Sequence, residues 1–216
     1  MNADSNVRVV LDTGSMEWLA GAEAGVLHKS LDRADGAGTH VVKGAPACVF
    51  GPPDAGLGEE ILVLEGVLAD ERSAYPAGAY LRNPPGARCA LRTDQGCVLF
   101  VKRYRFEPTD SVVVRIDTAN TPWLPGLVPG LSVMPLHEHQ HEHAALVRWQ
   151  PETHFQPHAH FGGEEILVLS GVFEDEHGRY PAGTWLRSPH MSRHQPFSRE
   201  GCTIYVKTGH LPVTAG

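Results

Sequence analysis

The sequence predicts an all-β protein made of two copies of one unit, each folding as a sandwich or barrel. Three observations carry this. Apolar residues come in short runs rich in Val, Ile, Leu and Tyr (EEILVLEGVL, GAYLRN, GCVLFVKRY), separated by Gly/Pro/Asp clusters. No stretch sustains a 3.6-residue apolar period, and 17 prolines and 23 glycines punctuate the chain. The chain also repeats itself: GEEILVLEGVLADERSAYPAGAYLRNPP (58–85) matches GEEILVLSGVFEDEHGRYPAGTWLRSPH (163–190) without gaps, at an offset of 105. Strands this short bury their apolar faces best in packed or closed sheets.

Taken in order, the same offset aligns Asp12-Thr13 with Asp117-Thr118, Trp18-Leu19 with Trp123-Leu124, and Gly21 with Gly126. It carries Gly96-Cys97 onto Gly201-Cys202 and Val101-Lys102 onto Val206-Lys207. The expected domains are therefore residues 1–106 and 107–216, joined at EPTDS (107–111). Trp18 and Trp123 are expected as core or inter-unit packing anchors. The length of 216 residues, with 42% apolar and 20% charged residues, suits a soluble globular protein. A net charge of −7 argues against sequence-independent nucleic-acid binding. No apolar run is long enough to span a bilayer, and MNADSNVRVV lacks the features of a signal peptide. The expected location is the cytoplasm. Cys48, Cys89, Cys97 and Cys202 form no C-x-x-C pair and no disulfide framework; Cys97 and Cys202 read as small buried hydrophobes.

The chemistry concentrates in PHAHFGGEEILVLSG (157–171). On an extended strand His158 and His160 point to the same side. Glu164 keeps that parity provided Gly162-Gly163 only bends the strand. His194 lies across the YPAG turn (180–183) and is the fourth candidate. A lone His-x-His reads most simply as solvated loop. Two imidazoles, a carboxylate and a distant His at a hairpin return instead suit a first-row divalent ion. Histidine is the compositional outlier, with 13 in the chain and most of them between His137 and His194.

The first copy serves as an internal control. His158 maps to Pro53, His160 to Ala55 and His194 to Cys89, while Glu164 keeps a counterpart in Glu59. The first unit is expected to have lost the metal site and kept the scaffold, as a structural partner or an apolar ligand pocket, with a different small ligand as the alternative. The tract LHEHQHEH (136–143), with His137, His139, His141 and His143, is expected to be a solvated loop; if extended instead, one face would be all imidazole and would bind a divalent ion weakly. His154 is a pocket-lining candidate and His190 is expected to be exposed. Glu165 should point away from Glu164 by strand alternation. Tyr180 and Glu174 are near the mouth, although Tyr75 at the counterpart of Tyr180 suggests a structural role shared by both copies.

H-x-H-x3-E-x6-G (His158 to Gly171), followed by G-x5-P-x4-H (Gly183 to His194), resembles the two motifs of the cupin family. More narrowly, GGEEILVLSGVFEDEHGRYPAG with its Pro-to-His return and Gly-Cys resembles the cupin-like domain of ChrR-type anti-sigma factors. The resemblance covers both copies. It implies two tandem cupin (RmlC-like jelly-roll) β-barrels, hence a bicupin. It also implies one divalent metal ion per chain on His158, His160, Glu164 and His194, zinc being usual, with iron, manganese or nickel as alternatives. Two positions depart from the motifs: Glu152 and Met191 stand where the family usually has Gly, and each is expected to loosen a turn without touching a ligand. The resemblance leaves two functions open. One is sensing or binding of a small ligand. The other is a metal-dependent dioxygenase acting on a small diketone or hydroxy-ketone. A storage-like structural role is disfavoured by the complete ligand set. Expected partners are a small-molecule ligand or substrate and a second copy of the chain in a homodimer, with neither nucleic acid nor membrane. Sigma-factor binding is not expected, because the repeat begins almost at once, without a separate helical zinc module.

Overall fold

The computed structural model describes residues 2–34, 37–54, 56–87 and 89–213, which contain 22 strands and no helix. Among these residues no helix is long and apolar enough to cross a membrane. The strands form two units with the same antiparallel order. In the first, that order is Val114–Asp117, Ala79–Asn83, Gly58–Ala69, Cys97–Tyr104, Ala37–Gly44, Val26–Ala34 and Leu19–Ala20. In the second it is Val9–Asp12, Thr184–Ser188, Glu164–Asp175, Cys202–Thr208, Glu142–Trp149, Leu131–His139 and Leu124–Pro125.

The outermost strand of each order comes from the other copy of the repeat. Val9–Asp12 pairs with Thr184–Ser188, from Val9↔Arg187 to Asp12↔Thr184, and Val114–Asp117 pairs with Ala79–Asn83. The compact units are accordingly 1–3 with 16–121, and 4–15 with 122–216, so they differ from the sequence repeat by an exchange of leading segments. The EPTDS segment is held within the first unit. Asp110 is buried and accepts hydrogen bonds from Arg82, whose guanidinium also stacks 3.7 Å from the Phe106 ring centroid.

The longest strand of each unit turns a corner part-way along. Glu164–Asp175 pairs with Thr184–Ser188 and Cys202–Thr208 first, then with Gly178–Pro181 and Phe197 beyond a register shift at Val168/Ser170. Gly171 makes the corner. Its φ is +70°, and a Cβ there would lie 2.0 Å from the Gly201 carbonyl oxygen. Gly66 repeats this against Gly96 in the first unit. Each unit has its own apolar core, with Ile61, Leu68, Leu81 and Leu99 in one and Ile166, Phe173, Leu186 and Ile204 in the other. Cys97 and Cys202 are buried in these cores as expected, and burial pushes the Cys202 thiol up to about 11.

Two expectations about aromatic and histidine residues are corrected. Trp18 and Trp123 are half-buried rather than core residues. Each carries a cation over its ring: Lys29 Nζ at 4.4 Å from the Trp18 centroid and Arg148 Cζ at 4.1 Å from that of Trp123. The tract 137–143 is not a loop but the tip of a β-hairpin, with Leu131–His139 paired to Glu142–Trp149 and a turn at Gln140. Its polar composition suggested solvated coil, but the two-residue alternation of His with Glu and Gln suits a strand, and the ladders on either side of Glu142–Trp149 impose one.

Candidate metal centre

Four elements bring the predicted residues together in the second unit. His158–Ala159 is a two-residue strand paired with Arg193–His194, in which His158 and His194 are direct cross-strand partners. That pairing places their side chains on one face. Gly162 and Gly163 both have positive φ (+66° and +70°), so the chain turns there rather than merely bending, and Glu164 arrives on a separate strand. The parity argument for Glu164 therefore does not apply, yet the turn still carries its carboxylate to the imidazoles. The turn is pinned by His190, which is half-buried rather than exposed: its Nδ1 accepts a 2.9 Å hydrogen bond from the Gly162 N–H.

The donor atoms converge. One nitrogen from each of His158, His160 and His194 lies within 4.8 Å of the others. His160 Nε2 is 3.3 Å from His194 Nε2 and 3.1 Å from Glu164 Oε1, and His194 Nε2 is 3.7 Å from Glu164 Oε2. A tetrahedron with metal–ligand bonds of about 2.0–2.1 Å has edges of about 3.3–3.4 Å, so the spacings among His160, Glu164 and His194 are close to those of ligands around one ion, while His158 joins the two other histidines at the wider limit of 4.8 Å. The outward-facing nitrogens are also engaged. His158 Nδ1 is 2.9 Å from the Gln156 carbonyl oxygen, and His194 Nδ1 is 3.8 Å from Asp175 Oδ2. Such contacts fix ring orientation and leave Nε2 facing inward.

Asp175 belongs to a small buried network. Tyr180 donates a 2.7 Å hydrogen bond to it, and Arg8, on the exchanged N-terminal segment, reaches both Tyr180 Oη (2.6 Å) and Asp175 (3.2 Å). Burial alone would raise the Asp175 pKa. The close approach of His194, with hydrogen bonds from Tyr180 and the His177 N–H, outweighs it and holds the carboxyl at about 2, while burial and the bond to Asp175 push Tyr180 up to about 12. Glu164 behaves likewise: burial opposes its ionisation, but the His160 hydrogen bond and the neighbouring imidazoles hold its carboxyl below the usual range. Burial pushes His158 down toward the neutral form. At His194 burial pulls the same way, but Asp175 and Glu164 prevail and raise it.

Other sequence expectations divide. Glu165 does point away, binding Trp185 Nε1 at 3.1 Å and His210 Nε2 at 2.8 Å. Glu174 accepts from the Arg199 N–H and pairs with Arg179. His154 is exposed and stacks on Phe197. From the His-rich hairpin, His141 and His143 line an open cavity of about 410 Å³ that also touches His160 and Phe161. Sequence reasoning passed over Asp175 and Arg8. The pairing of Asp175 with Tyr180 had a signal, since Asp70 and Tyr75 repeat it and are hydrogen-bonded at 2.9 Å; Arg8 had none.

At the matching place in the first unit, Glu59 accepts from Asn83 at 3.1 Å and lies 3.4 Å from Arg103. Arg115 donates to Asn83 Oδ1 (2.6 Å) and to Cys89 Sγ (3.4 Å). Ala55, the counterpart of His160, lies outside the described residues.

The ChrR Cupin-like domain matches the chain twice, over residues 6–107 and 111–212. The chain belongs to that family. Among curated proteins none matches this ChrR-type bicupin in sequence. Solved structures share its fold at low identity. A candidate glyoxylate-induced protein from Pseudomonas aeruginosa superposes with a TM-score of 0.81 at 15% identity, covering 97% of this chain and 91% of the other. A candidate dioxygenase from Nostoc punctiforme gives 0.78 at 15%, covering 94% and 82%. A cupin conserved-barrel protein from Leptotrichia buccalis gives 0.67 at 10%, covering 93% and 95%. Together with the doubled family match, these likenesses make the fold a tandem cupin.

Proposed function

We propose that this ChrR-type bicupin holds one divalent metal ion in its second unit, on His158, His160, Glu164 and His194, and uses it to bind or sense a small ligand. The convergence of three imidazole nitrogens and the buried Glu164 carboxylate carries this reading. With neutral imidazoles and one carboxylate, a divalent ion would leave a net charge of about +1 on the site, suited to an anionic or oxygen-donor ligand. Zinc is the expected ion, with iron, manganese or nickel the alternatives. The first unit would bind none, because Pro53 cannot coordinate and the guanidinium groups of Arg103 and Arg115 lie against Glu59 and Cys89. Sensing is favoured over catalysis because nearby groups that could move protons are tied up structurally: Glu165 by Trp185 and His210, and Tyr180 by Asp175 and Arg8.

The second reading is a metal-dependent dioxygenase of a small diketone or hydroxy-ketone. The open cavity beside His160 favours it, since a substrate could approach the ion from there, and the fold likeness to the Nostoc candidate dioxygenase agrees with it. A bound ion would then supply an open coordination position.

Elemental analysis of the purified full chain and of the His160→Ala variant tests the metal. One equivalent per chain, mostly lost in the variant, is expected. Two equal tight sites, or unchanged content in the variant, would refute the assignment. Oxygen uptake with candidate diketones by the iron-loaded chain separates the readings, and turnover would favour the enzyme.

A further inference from the structure

The first unit contains a cavity that the metal reading does not use. It encloses about 330 Å³, at the lower end of the range for small-molecule sites. Its walls are apolar on one side (Val26, Val42, Phe50 and Val101) and basic on the other, where His28, His40 and Arg103 face it from adjacent strands. The register explains the grouping. Val26–Ala34 pairs with Ala37–Gly44, which pairs with Cys97–Tyr104, so His28, His40 and Arg103 fall on the same inner face. The two imidazoles lie edge to face with centroids 6.1 Å apart.

Three observations distinguish this basic group from ordinary scaffold. The second copy builds the same strands with Val133, Ala145 and Thr208 at the matching positions, so the fold does not need the polar side chains. Nδ1 of His40 is shielded from solvent and has no hydrogen-bond partner, whereas Arg103 is held in place by Glu59 (3.4 Å from its Nε) and by the Gly51 carbonyl (3.3 Å from Nη2). The field is positive as well. Burial first, then the charges of His28, Arg103 and Arg33, push His40 down to about 4 against the opposing charge of Asp32. The acidic groups are placed differently. Glu59 is the direct cross-strand partner of Arg103 and pairs with its Nε from the same inner face, taking one side of the guanidinium, while Glu23 and Asp54 are exposed at the rim.

We propose that the metal-free first unit binds a small monocarboxylate with an apolar body, its carboxylate on Arg103, His40 and His28 and its body against Val42, Phe50 and Val101. A guanidinium offers a planar pair of donors to a carboxylate. His40 Nδ1 then gains an acceptor, and the apolar wall selects an aliphatic or aromatic acid over an inorganic anion. This site is independent of the metal assignment in the second unit.

Calorimetry on the full chain, with acetate, butyrate and benzoate as probes and butyramide as the neutral control, tests the proposal. One saturable site that persists when the metal is removed is expected, with butyrate or benzoate tighter than acetate and butyramide at least tenfold weaker than butyrate. Arg103→Gln should weaken butyrate at least tenfold. Because Arg103 also pairs with Glu59, Val42→Phe, which fills the cavity without removing a charge, should independently weaken it as much; thermal melts verify that both variants are folded. His160→Ala should leave binding unchanged. Absence of saturable carboxylate binding, equal binding of butyramide, or binding that survives in folded Arg103→Gln and Val42→Phe overturns the proposal, as does loss in His160→Ala.

Discussion

Expressing residues 106–216 alone removes the strand Val9–Asp12 from the unit that contains the His cluster, because that strand belongs to the other copy of the repeat. The loss can be sized from the contacts. The segment contributes the four-residue ladder from Val9↔Arg187 to Asp12↔Thr184. It also supplies the Thr13 N–H and hydroxyl bonds to the Gly183 carbonyl, the Asp4 carbonyl that accepts from Arg187, and the Arg8 contacts to Tyr180 and Asp175. At about 1 kcal/mol net per hydrogen bond, these sum to roughly 5–10 kcal/mol. That is comparable to the whole stability of a typical domain, about 5–15 kcal/mol. The fragment also exposes the edge of Thr184–Ser188 as an unpaired strand. It still carries Val114–Asp117, the counterpart of the missing strand, and one copy can lend this to the next. Size-exclusion chromatography with light scattering should therefore give dimers or aggregates, and a peptide of residues 4–15 should shift the fragment toward monomer. A well-behaved monomer melting at the temperature of the full chain would refute this accounting of the exchanged strand.

Three further outcomes follow from single side chains. Asp175→Asn removes the charge facing His194 Nδ1 and should weaken metal binding about 10–100-fold by competition titration; unchanged affinity would mean that Asp175 does not orient the ring. Met191 has φ +59°, is exposed, and donates its N–H to the His160 carbonyl, so Met191→Gly should keep the turn and stabilise the chain by up to about 1 kcal/mol in urea melts; destabilisation would show that its side chain matters more than its backbone. His40 is held at about 4 in the fold against 6.5 for the free group, so the unfolded chain takes up its proton first as pH falls. Stability is full above about 6.5 and declines toward about 4, by at most about 3 kcal/mol; the urea midpoint of His40→Gln should fall less than that of the parent between pH 7.5 and 4.5.

What could be read from the sequence, and what could not, follows from the range of the interactions concerned. The repeat and the His158, His160, Glu164 and His194 set were legible because each is a matter of spacing along the chain, and the second copy served as control for the first. The route by which Glu164 reaches the imidazoles was not, because a two-residue parity rule cannot tell a bend from the turn made by Gly162 and Gly163. Glu152 and Met191 make the reverse point. Both depart from the Gly of the family pattern, yet both keep positive φ (+59° each), so the backbone constraint outlasted the residue that ordinarily relieves it. Ala47 and Gly86, their counterparts in the first copy, adopt the same region at +60° and +82°. The exchanged strand was the least legible feature of all. An offset of 105 says that each copy has a leading strand, but two copies with nearly the same edge offer it two nearly equivalent partners. What distinguishes them lies in long-range contacts such as Arg8 with Asp175 and Arg115 with Cys89, between residues that no local pattern links. Duplication thus made the site readable, by supplying a copy without it, and made the strand pairing ambiguous for the same reason.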